Sequence, residues 1–112
     1  MIYRALGNTG LQVSEIGLGC EGFTEQEGMG TYALVDAAAD AGINYFDLYS
    51  PDPNLRLHLG KALAGRRDQF IIQAHLCSVW KDGQYKRTRI LEEVQAGFED
   101  LLHQLHTDHV EI

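Results

Sequence analysis

Asp47 and His75 are the residues of this chain best placed for acid–base chemistry, because each stands at the end of a predicted strand. The carboxyl ends of neighbouring parallel strands lie at the same end of a sheet, so side chains there can lie close together. An imidazole there can donate a proton or orient a donor. Each residue also has a plain structural alternative, since an aspartate at a strand end often caps the next loop and a strand histidine often only hydrogen-bonds.

A glycine pattern suggests a second kind of site. Gly17, Gly19 and Gly22 match G-x-G-x-x-G at the end of a predicted strand, and Asp47 stands where an acid could bind a ribose. In a Rossmann domain, however, a helix opens at once after these glycines, whereas the residues here lead into a segment with a poorly defined helical start. A small Rossmann-like domain is therefore an alternative, and it requires the first strand to lie between the others.

The cysteines and the spaced histidines give weaker signals. Cys20 and Cys77 form no CxxC pair and are interpreted as reduced, structural thiols, with a redox pair at the strand ends as the alternative. His103, His106 and His109 recur every three residues, but they straddle a predicted helix end and a strand start. That geometry is awkward for three ligands, so no metal site is predicted.

The amino-acid composition limits which classes of partner and which cellular location are expected. The 112 residues suit one domain, and nine Lys and Arg against 16 Asp and Glu give a net charge of −7. That charge disfavours nucleic acid and anionic membrane as partners. The apolar stretches are far shorter than the roughly 20 residues of a membrane span, and the start lacks a signal-peptide layout. A cytoplasmic protein with no membrane partner is expected.

The elements that must position these residues alternate between strand and helix, which predicts an α/β protein built of right-handed βαβ units. The chain is predicted to begin with a hairpin turning at 7–10, followed by a strand at 15–19 and a helix from about Thr24 to Ala41. A second strand at 43–48 leads to a helix that is capped by Asp52 and Pro53 and closed by Gly65. A third strand at 70–76, a long loop at 78–87, a helix capped by Thr88 and the start of a fourth strand at 109–112 complete the prediction.

Three stretches in the right order resemble the aldo/keto reductases. They run from Tyr3 to Gly19, from Ala41 to Asp47 and from Leu59 to Leu63, and the final stretch from Leu101 to Ile112 is also similar. The resemblance implies a (β/α)₈ TIM barrel that binds NADP(H) or NAD(H) and transfers hydride to or from a small carbonyl or alcohol substrate. Such barrels take about 250 residues. Residues 1–112 would be an N-terminal part, with the hairpin, strands one to three and the start of strand four, and would be inactive alone.

The resemblance also implies roles for particular residues. The family works with Asp, Tyr, Lys and His, and Asp47 matches the aspartate. Asp52 stands where the tyrosine is expected and His75 where the lysine is expected, which puts ordinary carbonyl reduction in doubt. Tyr49 is an alternative source of the tyrosine. Gly19, Cys20 and Asp47 are expected to line the nicotinamide pocket with His75 beside them, making Asp47 and His75 the catalytic residues.

Two further expectations follow. The stretches 19–23, 47–51, 73–77 and 80–85 resemble a bacterial branch of the family whose members often carry a ferredoxin-like 4Fe-4S domain after the barrel, so an iron–sulfur cluster would lie outside this chain. Four strands also leave two sheet edges open, and open edges pair readily with other chains. The alternative to an enzyme is therefore a non-catalytic half-barrel, acting as an interaction module or as a homo-oligomer formed through those edges.

Overall fold

The computed structural model describes residues 1–25 and 28–112. The chain opens with an antiparallel hairpin of β1 (Tyr3–Ala5) and β2 (Gln12–Ser14), as predicted. Its turn contains Gly7 and Gly10 at φ +52° and +82°, a region of backbone conformation that glycine adopts without a steric penalty. The hydroxyl of Tyr3 donates a 2.8 Å hydrogen bond to the carbonyl of Gly42, which holds the hairpin against the end of the first helix.

A three-stranded parallel sheet forms the centre, made of β3 (Leu18–Gly19), β4 (Tyr45–Leu48) and β5 (Ile71–Ala74). The strands lie in sequential order, with β4 in the middle. A Rossmann-like domain needs the first strand between the others, so that alternative is wrong. Each strand is shorter than predicted, because apolar residues that continue the pattern beyond the ladder, such as Ile43 and Leu76, make no strand pairing.

Helices α1 (Gly28–Asp40) and α2 (Pro53–Ala62) follow β3 and β4. The predicted start of the first helix near Thr24 is wrong, because Glu21–Glu25 forms a 3₁₀ turn; residues 26 and 27 lie outside the described residues. The start of α2 is confirmed. Asp52 is its N-cap and accepts from the backbone N–H groups of Asn54 (2.8 Å) and Leu55 (3.4 Å), while Pro53 is its first residue.

The predicted long loop at 78–87 is wrong, because these residues form a second hairpin of β6 (Ser78–Lys81) and β7 (Gln84–Arg87). Asp82 and Gly83 form the turn with φ +54° and +73°. Positive φ at both central residues is the conformation that matches the twist of hairpin strands, and Asp-Gly is one of the dipeptides that favour it.

Helix α3 (Leu91–Leu105) begins three residues after Thr88, and its N-cap is Ile90. The prediction that Thr88 caps this helix is wrong in detail. Its hydroxyl accepts from the N–H of Ile90 (3.1 Å) and donates to the carboxylate of Glu93 (2.6 Å), so it fixes the segment that enters the helix instead.

Residues 109–112 lie beside β5 and form backbone hydrogen bonds with it, but they do not form a regular strand. The N–H groups of Glu111 and Ile112 donate to the carbonyl of Ile72, both at 3.2 Å, and the carbonyl of Ile112 accepts from Ala74 at 2.8 Å. The predicted fourth strand is therefore present only as a hydrogen-bonded segment at the edge of β5.

The core lies between the sheet and the helices that cover it. Gly60 of α2 lies against the backbone of Leu105 in α3, where a Cβ atom would come within 2.7 Å of the leucine carbonyl group. The buried apolar side chains include Cys20, Val35, Phe46, Leu48, Leu55, Leu59, Ile72, Leu101 and Leu105. None of the helices among the described residues is long and apolar enough to cross a membrane.

Candidate active site

Asp47 and His75 meet at the carboxyl ends of β4 and β5. The strands are paired in parallel with Asp47 opposite Gln73. His75 is two residues further along and therefore lies just beyond the carboxyl end of β5. Its Nε2 atom is 2.7 Å from Oδ1 of Asp47. The side chains are 33% and 44% exposed, which leaves both open to a small molecule while they stay bonded to each other.

Gln73 and Tyr45 extend the contact between Asp47 and His75 to two further side chains of the same strands. The hydroxyl of Tyr45 donates to the amide oxygen of Gln73, which turns the amide nitrogen toward the other two groups. That nitrogen lies 3.4 Å from Oδ1 of Asp47 and 3.1 Å from Nε2 of His75. Since a carboxylate only accepts, the arrangement favours the tautomer in which Nε2 of His75 carries a proton directed at Asp47. In that tautomer Nε2 cannot accept from the amide of Gln73, which therefore donates to Asp47 and is only in contact with His75.

Tyr49 lies beside the imidazole, and Tyr85 contacts Tyr49. The ring of Tyr49 makes an edge contact with the ring of His75, with centroids 5.1 Å apart at 71°. Its hydroxyl is 2.7 Å from the hydroxyl of Tyr85, which comes from β7. The pKa of Tyr85 is raised, first because of this hydrogen bond and then because of burial. The second hairpin thus supplies one phenol to the site, next to the loop that follows β4.

Gly19 and Cys20 approach Asp47 from the other side. Gly19 is paired with Asp47 across the sheet, and no atom lies within 4 Å of the position its Cβ would occupy. The N–H of Cys20 donates to the carbonyl of Asp47 at 2.9 Å, but its thiol is fully buried in the core. Burial, with the nearby charges of Asp47 and Glu21, raises its pKa to about 12. The thiol of Cys20 therefore does not reach the surface beside Asp47, and only its backbone contacts that residue; that Cys20 lines a cofactor pocket stays a prediction.

Cys77 does not join Cys20, and both are free thiols. It is partly exposed and has φ +69°, at the turn between β5 and β6. Of the spaced histidines, His109 bonds to Asp108 at 2.6 Å and lies 3.2 Å from Glu111. No group of three His, Cys, Asp or Glu side chains in the described part of the chain could hold a metal ion.

Sequence reasoning missed Tyr45 and Gln73. Both were detectable, because residues two apart on a strand share a face, so Tyr45 belongs with Asp47 and Gln73 with His75. The contact of Tyr85 with Tyr49 was not predicted, because the segment that carries Tyr85 was interpreted as a loop.

The chain resembles two curated proteins of Bacillus subtilis. It is 32% identical over its whole length to the aldo-keto reductase YhdN, and 34% identical over 71% of its length to the uncharacterized oxidoreductase YqkF. It spans only 37% and 26% of those proteins. No family model matches the chain.

Solved structures agree with this resemblance. PA4992, a candidate aldo-keto reductase from Pseudomonas aeruginosa, superposes with a TM-score of 0.85 at 32% identity, over 98% of this chain and 44% of that one. The holo form of the aldo-keto reductase AKR11C1 from Bacillus halodurans gives 0.87 at 27% identity, over 99% and 38%, and its apo form gives 0.71. The predicted α/β fold is confirmed, and the chain forms part of a TIM barrel.

Proposed function

We propose that this chain, which is related in sequence and fold to the aldo-keto reductases, is part of an NAD(P)H-dependent oxidoreductase acting on a small carbonyl or alcohol substrate. The observation that carries the proposal is the 2.7 Å hydrogen bond between Asp47 and His75 at the carboxyl ends of two parallel strands. Barrel enzymes carry their chemistry at this end of the strands.

A nicotinamide ring fits the surface between Gly19 and Asp47. The missing side chain of Gly19 leaves open space directly beside the exposed carboxylate, so a flat ring can approach the backbone there. When bound, nicotinamide supplies or accepts the hydride.

His75 is the proton donor in this proposal. It is partly exposed, and Asp47 accepts a hydrogen bond from Nε2, which holds the imidazole at the carboxyl end of the sheet. Tyr49 packs against the edge of the ring and limits its rotation, while Gln73 fills the polar space beneath it. This chain has His75 where the family has lysine and Asp52 where it has tyrosine. In this proposal the site still has a proton donor, but the donor is an imidazole and not a phenol.

The activity test compares Asp47→Asn and His75→Gln with the unchanged protein. Oxidation of NADPH is followed with a panel of aldehydes and ketones, and each substitution is expected to lower kcat by roughly 100-fold or more. His103→Gln is the matched control, since His103 is exposed on α3, and should retain full activity. Unchanged turnover in Asp47→Asn would overturn the proposed site.

The rest of the barrel has to come from elsewhere. The chain spans between 26% and 44% of the relatives named above, and β3 lies at one edge of the sheet. Further strands can belong to a longer protein, in which the activity would then be measured, or to a second copy that pairs with the open edges. Light scattering with and without NADPH separates these cases, since a dimer strengthened by the cofactor would indicate the second copy.

The 4Fe-4S domain and the cytoplasmic location stay predictions from the sequence. The site described above needs neither, because a nicotinamide and a proton donor suffice for hydride transfer to a carbonyl.

A further inference from the structure

The second hairpin and the segment after it concentrate positive charge in an acidic chain. Lys81, Lys86, Arg87 and Arg89 are four of its nine Lys and Arg residues, although the net charge is −7. The two lysines are neutralised locally, Lys81 by Glu93 and Lys86 by Asp82, each at 2.5 Å. The two arginines have no carboxylate partner among the described residues.

Arg87 and Arg89 stand on either side of the buried Thr88, and both arginines are exposed. The hydroxyl of Thr88 bonds to the N–H of Ile90 and to the carboxylate of Glu93, so the backbone that carries both guanidinium groups is held in place.

The arginines line an open pocket of about 350 Å³ together with Thr88 and Cys77. No carboxylate lines this pocket among the described residues. It lies at the base of the hairpin, where the N–H of Thr88 donates to the carbonyl of Cys77 at 3.0 Å. Cys77 is two residues after His75, so their Cα atoms are at most about 7 Å apart. Cys77, which lines the pocket, is therefore close along the backbone to His75 of the candidate active site.

We propose that Arg87 and Arg89 bind the anionic group, a carboxylate or a phosphate, of the small-molecule substrate. Two guanidinium groups that line one pocket, without a carboxylate partner among the described residues, match the paired oxygens of such a group. The pocket is of a size that takes a small polar ligand. That the anion belongs to a substrate rests on the function proposed above, whereas anion binding itself does not.

The test measures anion binding without cofactor or turnover. The probes are inorganic phosphate and succinate, titrated separately into the full chain by calorimetry, with the fluorescence of Trp80 on the same hairpin as a second readout. Arg87→Gln with Arg89→Gln is expected to weaken binding by roughly tenfold or more. Lys86→Gln is the matched control, because Lys86 is adjacent but already paired with Asp82, and should change affinity by less than about twofold.

A third titration, with NADPH, identifies the source of the anion. Unchanged NADPH affinity in the double variant, together with lost phosphate or succinate binding, supports a substrate site. Loss of NADPH and phosphate binding together would assign the pocket to the cofactor and overturn the proposal. Equal losses in Lys86→Gln and the double variant would also overturn it, since general charge attraction would explain them. The double lysine variant, Arg87→Lys with Arg89→Lys, should restore part of the affinity.

Discussion

The hydroxyl groups of Tyr49 and Tyr85 lie 2.7 Å apart, which joins the loop after β4 to the second hairpin. Tyr49 also makes an edge contact with His75, so the contact couples the hairpin to the imidazole. Three segments that are distant in sequence therefore meet at the candidate active site. The position of His75 depends on the hairpin as well as on its own strand.

Replacing Tyr49 by phenylalanine should lower the pKa of Tyr85. That pKa is raised above the ordinary value of 10, with the hydrogen bond between its hydroxyl and that of Tyr49 as the largest cause. NMR titration of ring-labelled tyrosine measures it. Tyr3→Phe is the control, because Tyr3 bonds to Gly42 in the first hairpin and should leave Tyr85 unchanged. An unchanged pKa in Tyr49→Phe would show that the two hydroxyls are not bonded in solution.

The two thiols should differ sharply in reactivity. Only the thiolate attacks iodoacetamide, and Cys20 has its pKa raised to about 12 by burial and neighbouring carboxylates. At pH 9 we expect mass spectrometry to find Cys77, which is partly exposed, alkylated and Cys20 unmodified. Both should react in denaturant, which is the control for intrinsic reactivity. Rapid modification of native Cys20 would mean that the core around it opens.

Glu111 should make stability depend on acid pH. Burial favours its protonated form, but hydrogen bonds from Arg67 (3.0 Å) and the N–H of Ile72 (2.7 Å) outweigh burial and hold its pKa below the ordinary 4.5. Since its pKa is lower in the folded state, the stabilisation is complete above pH 4.5 and is lost as the pH falls through the folded value.

Glu111→Gln tests this dependence by urea unfolding at several pH values. At pH 7 the variant should be less stable by about 1–3 kcal/mol, and the difference from the unchanged chain should shrink below pH 4.5. Glu99→Gln is the control, because Glu99 is exposed on α3 and makes no ion pair among the described residues. A difference that stays constant down to pH 3 would exclude the charge of Glu111 as the cause.

Local patterns predicted the alternating elements well. Asp52 and Pro53 cap α2 as expected, because capping depends on residues only two or three apart. The strand order distinguished the barrel from a Rossmann-like domain only once the structure was available, since the glycine spacing fits both. The second hairpin was predictable from Asp82-Gly83, and it was missed because the strands beside this turn are polar and lack the usual apolar alternation.

The site was predictable only where strand ends define it. Asp47 and His75 could be paired because they end neighbouring parallel strands. Tyr85 could not be found this way, since it contacts Tyr49 from a position 36 residues further along the chain. The contact depends on how the second hairpin packs against the sheet, which local sequence patterns do not specify. The burial of Cys20 was equally hidden, because a residue at a strand end can face either the core or the pocket, and the sequence does not specify which.

Gly60 should be the glycine whose replacement destabilises the chain most clearly through packing. A Cβ atom there would come within 2.7 Å of the backbone carbonyl group of Leu105, and backbone of a packed helix cannot move aside as a flexible side chain can. Gly60→Ala should therefore cost about 1–3 kcal/mol of unfolding free energy, although alanine favours helix, because the gap between α2 and α3 has to widen.

Gly22→Ala is the matched control, since no atom lies within 4 Å of the position its Cβ would occupy and its φ is not positive. This variant should stay within about 0.5 kcal/mol of the unchanged chain. Urea unfolding of both variants measures the difference. If Gly60→Ala were as stable as Gly22→Ala, the close approach of the two helices at this point would be wrong.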